Sequence, residues 1–341
     1  MRWDAQSVAV DDGALPGLTR AGLVRSIRSP EFDGVTFHEV LCKSALNRVP
    51  AESAMPFRWT VNPTRGCTHQ CKYCFARPTH EYLDLSAGSD FDSEIVVKTN
   101  IVPVLRRELR RASWRRENVA LGTNTDPYQR AEGRYKLMPG IISALAESGT
   151  PFSVLTKGTL LRRDLPLLTA VSRHVDVSLG VSLAMMDEDL QQSVEPGTPT
   201  PRARLSLIRA IREAGMPCGV MIAPVIPYLT DSAQQLDDLL GALSEAGATK
   251  VTVLPMHLRG STRDVFMNWL GEHHPALIRR YRAVYGRGAY ASTAYQEWLR
   301  ARVAPLVRKH RLGAKRSSAD DGPRAGDNQR LAAPLPALTL F

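Results

Sequence analysis

Three of the chain's five cysteines, Cys67, Cys71 and Cys74, fall within eight residues, spaced by three and then two intervening positions, while Cys42 and Cys218 stand alone. Cys71 and Cys74 are one helical turn apart and Cys67 sits on the loop before them, so three thiolates can converge with one coordination position left open. Soft ligands in that number suit a [4Fe–4S] cluster whose fourth iron binds something exchangeable. The alternative is a structural zinc site with His69 or His80 as the fourth ligand. Against zinc, no second Cys or His pair lies at zinc-finger spacing.

Such a loop needs a frame that holds it. Phe57-Arg58-Trp59-Thr60-Val61 alternates aromatic or β-branched residues with polar ones, as a strand does, and the run is stopped by Pro63 and Gly66. From residue 100 onward a β-rich run, an amphipathic run and a glycine recur, with strands expected at 118–123, 151–156, 174–181, 217–225 and 250–255. Pro139 and Gly149 bracket one helix, and Thr200 with Pro201 opens another that closes at Gly215. Asp231 and Gln234 have capping-box spacing ahead of Leu236, Leu239, Leu240 and Leu243. Six strands alternating with helices are too few for a full eight-stranded barrel, and the pattern predicts an α/β fold, a partial (β/α)6 TIM-type barrel ahead of the alternative, a flat doubly wound sheet. Ligands gather at the C-terminal ends of such strands. The cysteine loop, Thr123-Asn124-Thr125-Asp126, Lys157, Ser178 with Ser182, and residues 224–227 are therefore expected to share one mouth.

At 341 residues, 43% apolar and 23% charged, the chain can bury a large core. Its first residues carry acids where a signal peptide needs an apolar run, and no segment has the length of a membrane span, so a cytoplasmic location is expected. Five cysteines with three clustered do not make a disulfide framework. The net charge of +10 permits a polyanionic partner. Arg106, Arg107, Arg110, Arg111, Arg115 and Arg116 form a basic run expected on one helix, whose face would suit nucleic-acid contact through phosphates.

Cys67-x3-Cys71-x2-Cys74, with Tyr73 before the last cysteine, resembles the signature of the radical S-adenosylmethionine (radical SAM) enzymes. Across residues 57 to 257 the chain is similar to the branch around spore photoproduct lyase, through Asn62-Pro63, Gly66-Cys67, 123–129, Thr156-Lys157, Val177-Ser178, 195–198 and 223–227. The resemblance implies a partial barrel, a [4Fe–4S] cluster on the three cysteines, and S-adenosylmethionine (SAM) on the open iron. Reduction by a partner such as a flavodoxin or ferredoxin would then cleave SAM to a 5′-deoxyadenosyl radical that takes hydrogen from a substrate. It also lends roles to residues. Tyr73 would lie against the adenine, and Thr123, Asn124 and Thr125 would replace the Gly-Gly-Glu that usually holds the SAM amino group. Lys157 would reach the carboxylate or ribose with Ser178 as its neighbour, and Arg204 would pair with a carboxylate or sit on the surface.

The lyase returns hydrogen through a cysteine near the end of its second strand, and this chain has no cysteine between Cys74 and Cys218. Tyr128 and Tyr82 are the alternative donors, and the substrate and catalytic residues stay unassigned. On this reading residues 1–50 are an N-terminal extension, 51–257 the radical SAM core, 258–311 a helical segment and 312–341 a disordered tail. The competing function is a zinc-stabilised nucleic-acid-binding protein that uses the basic helix.

Overall fold

The computed structural model describes residues 22–50, 53 and 55–313. Its strands are β1 (Leu23–Arg28), β2 (Thr36–Val40), β3 (Leu46–Arg48), β4 (Trp59–Val61), β5 (Thr64–Arg65), β6 (Glu94–Lys98), β7 (Val119–Leu121), β8 (Phe152–Thr156), β9 (Val177–Ser182), β10 (Cys218–Val225) and β11 (Lys250–Pro255). Seven of them form one sheet in the order β11-β10-β9-β8-β7-β4-β3. From β4 to β11 every pairing is parallel, and β3 closes one edge antiparallel to β4. All six strands expected from the alternation are present, and their spatial order is their chain order.

Helices fill the connections: α1 (Ser89–Ser93), α2 (Ile101–Leu109), α3 (Arg130–Tyr135), α4 (Leu137–Glu147), α5 (Leu161–Val171), α6 (Glu188–Val194), α7 (Pro201–Glu213) and α8 (Ala233–Glu245). Three more, α9 (Thr262–His273), α10 (Ile278–Tyr285) and α11 (Thr293–Lys309), follow the last strand. Their ends obey local chemistry. Thr200 accepts from Ala203 N at the start of α7, with Pro201 in the first turn. Pro139 is the third residue of α4, where a missing N–H leaves no helical bond unmade.

The capping box of α8 is Ser232 with Gln235, one residue beyond the expected Asp231 and Gln234. Asp231 is unavailable as a cap because its carboxylate accepts from Tyr228 N (2.9 Å) and the Tyr295 hydroxyl (2.8 Å). The basic run is also corrected. The helix that carries it ends at Leu109, Arg110 is its cap, and Arg111, Arg115 and Arg116 lie in the connection to β7. Trp114 breaks the helix by turning inward, its ring 5.3 Å from that of Trp59 and its indole N–H donating to Thr150. Arg106 is paired with Glu147.

Within the expected N-terminal extension, the described residues 22–50 contribute strands to both sheets. β2 pairs with β6 and β6 with β5 in a second sheet, β1-β2-β6-β5, and β3 joins the large one. The short apolar run of β6 escaped the sequence reading because it lies inside the long connection between β4 and β7. The expected tail falls, beyond Gly313, outside the described residues. None of the described helices is long and apolar enough to cross a membrane.

Adjacent parallel strands leave no room where β7 ends. Gly122 has φ +92°, and a Cβ there would stand 1.9 Å from Leu155 O on β8. Gly122→Ala is expected to cost on the order of 3 kcal/mol through strain and overpacking, read as a lowered denaturant midpoint with an unchanged slope.

Candidate radical SAM site

The cysteine loop begins at Gly66, whose φ of +79° and whose neighbours at 2.9–3.0 Å (Ile95 Cδ1, His80 Cε1 and Phe91 O) exclude a side chain. Cys67 N donates to Phe91 O, Gln70 N turns back to Cys67 O from a positive φ, and Cys74 N closes an i to i+3 turn on Cys71 O. Beneath this turn lies Arg77, fully buried. Its guanidinium donates to Cys71 O (3.1 Å), Ala87 O, Gly88 O and both oxygens of Asp92. An arginine so placed satisfies backbone carbonyls of an irregular segment that has no sheet to pair with.

Three strand ends converge on the loop. After β4, the Asn62 side chain accepts from Thr123 Oγ1 (3.2 Å) and Asn124 N (3.1 Å). After β7, Gln129 is buried and donates through Nε2 to Thr64, Gly66 O and Thr125, while its Oε1 accepts from Thr68 N. Asp126 accepts from Tyr128 N, from Thr156 Oγ1 and Lys157 N at the end of β8, and from His69 Nδ1 (3.4 Å) inside the cysteine loop. Burial opposes the Asp126 charge, but His69 and these donors outweigh it and hold the carboxyl near 2. Burial likewise disfavours the His69 cation, and the charges of Cys67 and Asp126 outweigh that, raising it to about 10.

The loop after β9 is laced to the cysteine loop by Lys72 N donating to Val194 O and Gly197 N to His69 O. A Cβ on Gly197 would stand 2.0 Å from Thr68 O. The Tyr73 hydroxyl donates to Glu195, which is ion-paired with Arg204, both of them buried. Arg204 also donates to Pro199 O, Ser182 O and Thr198. Lys157 Nζ stands 5.7 Å from the centre of the Tyr73 ring. A cleft of about 290 Å³ opens beside His69, lined among others by Tyr128, Gly158 and Gly197.

Of the residues expected at the mouth, Cys67, Cys71, Cys74, Tyr73, Thr123, Asn124, Thr125 and Lys157 are brought together. Thr125 is turned inward to Gly66 O and Thr64, so it supports the loop. Two expectations need correction. Ser178 is the second residue of β9, in register with Ser153, whereas Lys157 follows Thr156 opposite Val181. It therefore sits about 13 Å back along the strand, near the N-terminal edge, and Ser182 ends the strand instead. Arg204 is no surface residue, and its carboxylate partner is Glu195 of this chain.

The Tyr128 hydroxyl is buried against Asp164 and Tyr82 is exposed on the turn Arg77–Leu83, so neither is poised at the loop. Cys218 opens β10, fully buried, its thiol pushed up to about 12 by burial. Asn62, Arg77, Asp126, Gln129 and Glu195 were given no role from sequence, although all but Arg77 lie in the segments that carried the resemblance.

The donor set fits an iron–sulfur cluster. All three thiols are free, and Cys42 and Cys218 are buried elsewhere. Burial raises Cys71 well above an ordinary thiol, with Lys157 opposing, and raises Cys74 to about 11 with help from the Cys67 charge. Bound iron would reverse that balance, since a coordinating thiol loses its proton. Among the described residues no group of three or more His, Cys, Asp or Glu side chains is arranged to hold a single metal ion. His80, one candidate fourth zinc ligand, engages Glu94 O through Nε2, and the other, His69, faces Asp126.

A family model described as the radical SAM superfamily matches residues 61–265. An uncharacterized protein of Mycobacterium tuberculosis is 63% identical over 346 residues, covering 100% of both chains, and one of Mycobacterium bovis matches equally. Among solved structures, spore photoproduct lyase complexed with dinucleoside spore photoproduct aligns with a TM-score of 0.60 at 14% identity, covering 82% of this chain and 80% of that one. That last likeness is one of fold.

Removing one partner of the buried Arg204–Glu195 pair strands a charge. Arg204→Met should destabilise by roughly 3–5 kcal/mol, and the double change with Glu195→Gln should recover part of the loss, both read by chemical denaturation.

Proposed function

The chain belongs to the radical SAM superfamily and is an enzyme of that type, and we propose that it uses SAM to abstract hydrogen from a substrate bound at the mouth of the large sheet. The observation that carries this reading is the Lys157 ammonium over the Tyr73 ring beside three free thiols. Cys67, Cys71 and Cys74 would hold the cluster. When bound, a [4Fe–4S] cluster with SAM supplies a reductively generated 5′-deoxyadenosyl radical.

The protein's own part is positioning and exclusion. Lys157 offers a cation to the SAM carboxylate. The Asn124 amide and Thr123, half-buried at the end of β7, offer polar contacts to its amino group. Tyr73 is held rigid by Glu195, and Glu195 by Arg204, so Arg204 acts on the site through two other side chains. Ser182, rather than Ser178, stands at the strand end beside Lys157.

The strand order supports the surrounding architecture. Six parallel strands in chain order have no reversal point, so crossovers of one hand leave all helices on one side, the arrangement of a partial barrel. Residues 51–257 would be its core, extended by the small sheet and the C-terminal helices. The electron would come from a reductant such as a flavodoxin or ferredoxin in the cytoplasm.

Hydrogen return through a strand-end cysteine has no residue to perform it here, because the one cysteine downstream of the loop, Cys218, opens β10 at the N-terminal end of that strand. The basic run offers no continuous helix face to nucleic acid. Both points support a substrate other than the lyase's.

The test is anaerobic reconstitution, reduction and assay for 5′-deoxyadenosine. Alanine at any of the three cysteines should abolish iron–sulfur absorbance and product together. Lys157→Ala should keep the absorbance and weaken SAM binding roughly 10- to 100-fold, the worth of a charge-assisted hydrogen bond. Stoichiometric zinc without iron or sulfide would refute the reading.

A further inference from the structure

The segment that leaves β11 is fastened on every side. Met256 N donates to Val225 O, the Tyr285 hydroxyl to Met256 O, Leu258 N to Ala289 O, and Thr262 Oγ1 to Cys74 O. His257 forms a bridge with Tyr290, and its ring lies 5.8 Å from that of Tyr290 and 5.9 Å from that of Phe75. Phe75 follows the last cysteine and is 40% exposed, so this segment borders the cysteine loop at the C-terminal end of the sheet.

Within this rigid frame the side chains are left unpaired. His257 Nδ1 and Ser261 Oγ are buried without a hydrogen-bond partner, two of the five such atoms among the described residues, and they lie within five positions of each other. The Arg259 side chain, between them, makes no hydrogen bond or ion pair to the described residues, although its carbonyl accepts from Thr262 N. Burial and the Arg259 charge hold the His257 imidazole below its ordinary value, so at neutral pH it is an uncharged ring with one N–H to give. The only carboxylate in 256–264 is the exposed Asp264.

A buried polar atom without a partner costs roughly 1–3 kcal/mol, and folded proteins contain few. Here an imidazole, a guanidinium whose charge acts on it and a hydroxyl fall within five residues of chain, two of them unsatisfied. The main chain on either side is anchored, through Met256 and Leu258 before Arg259 and through Thr262, Arg263 and Val265 N–H groups bonded to Arg259 O, Gly260 O and Ser261 O after it. An arrangement of donors and a cation that lacks only an acceptor is complementary to an anionic oxygen group.

We propose that His257, Arg259 and Ser261 form a substrate-recognition site that binds an anionic oxygen group, a phosphate or a carboxylate, of the molecule presented to the SAM site, with Phe75 packing against its apolar part. The proposal rests on the preceding function only for what the bound molecule is presented to; anion binding itself does not depend on it.

The test is calorimetric titration of the full-length, reconstituted protein with inorganic phosphate and, separately, with glutarate, with iron measured in the same preparation. Wild type is expected to bind one of them, and the one it binds identifies the group. Arg259→Ala and His257→Asn should each weaken that binding tenfold or more, and Arg259→Lys should restore part of it. Arg173→Ala, an exposed change in the turn before β9, should leave it unaltered. Ser261→Ala should weaken binding while leaving thermal stability equal or higher, since it removes an unsatisfied hydroxyl; a hydroxyl kept for folding would show the opposite.

Iron-loaded protein that binds neither anion, variants that bind as wild type does, or an equal loss in Arg173→Ala would overturn the proposal. Protein that binds phosphate yet takes up no iron would instead overturn the function proposed above.

Discussion

A single carboxylate holds the mouth of this protein in one piece. Asp126 sits on the loop after β7, but its oxygens reach His69 in the cysteine loop and Thr156 and Lys157 at the end of β8. Three segments distant in sequence are thus referred to one point. The ammonium of Lys157 is placed relative to the thiols because the backbone that carries it is anchored to the acid that also anchors the histidine between two of them. Gln129 does the same work with a neutral group, and together they make the irregular loop as well bonded as a strand.

The environment beneath the loop is polar and yet buried. Arg77, Arg204, Glu195 and Gln129 are almost completely buried, and each is satisfied by named partners. Ion pairs of this kind add little to net stability, and well-packed apolar groups often do as well. Their use here is better understood as geometry. Tyr73 to Glu195 to Arg204 is a chain of directional bonds, and apolar contacts could not orient the Tyr73 ring under Lys157 so strictly.

What the sequence made legible follows from where the information is local. Strand and helix placement is carried by apolar period and by glycine and proline, and so the six parallel strands stood out even without a partner to compare. The cysteine spacing, the Thr123 to Asp126 segment and Lys157 were legible because their position relative to a strand end decides their role. Ser178 was misjudged for the same reason, since an error in where β9 begins moves a residue from one edge of the sheet to the other. Arg204 and Glu195, nine residues apart in the chain, could not be recognised as a pair, because their partnership depends on both being buried. The Arg106 to Arg116 run looked helical by charge spacing, and the side chain that overrules it, Trp114, acts through a contact with Trp59, distant in sequence on β4.

The hydroxyl of Thr262 donating to the carbonyl of Cys74 joins residues 188 positions apart. At ribosomal rates of about 5–20 residues per second, that separation amounts to roughly 10–40 s of synthesis. For that interval the three thiols have left the ribosome before the chain that will cover them exists. The loop's closure on Thr262 is therefore a late event of synthesis, and the cysteines precede it by most of the chain's length.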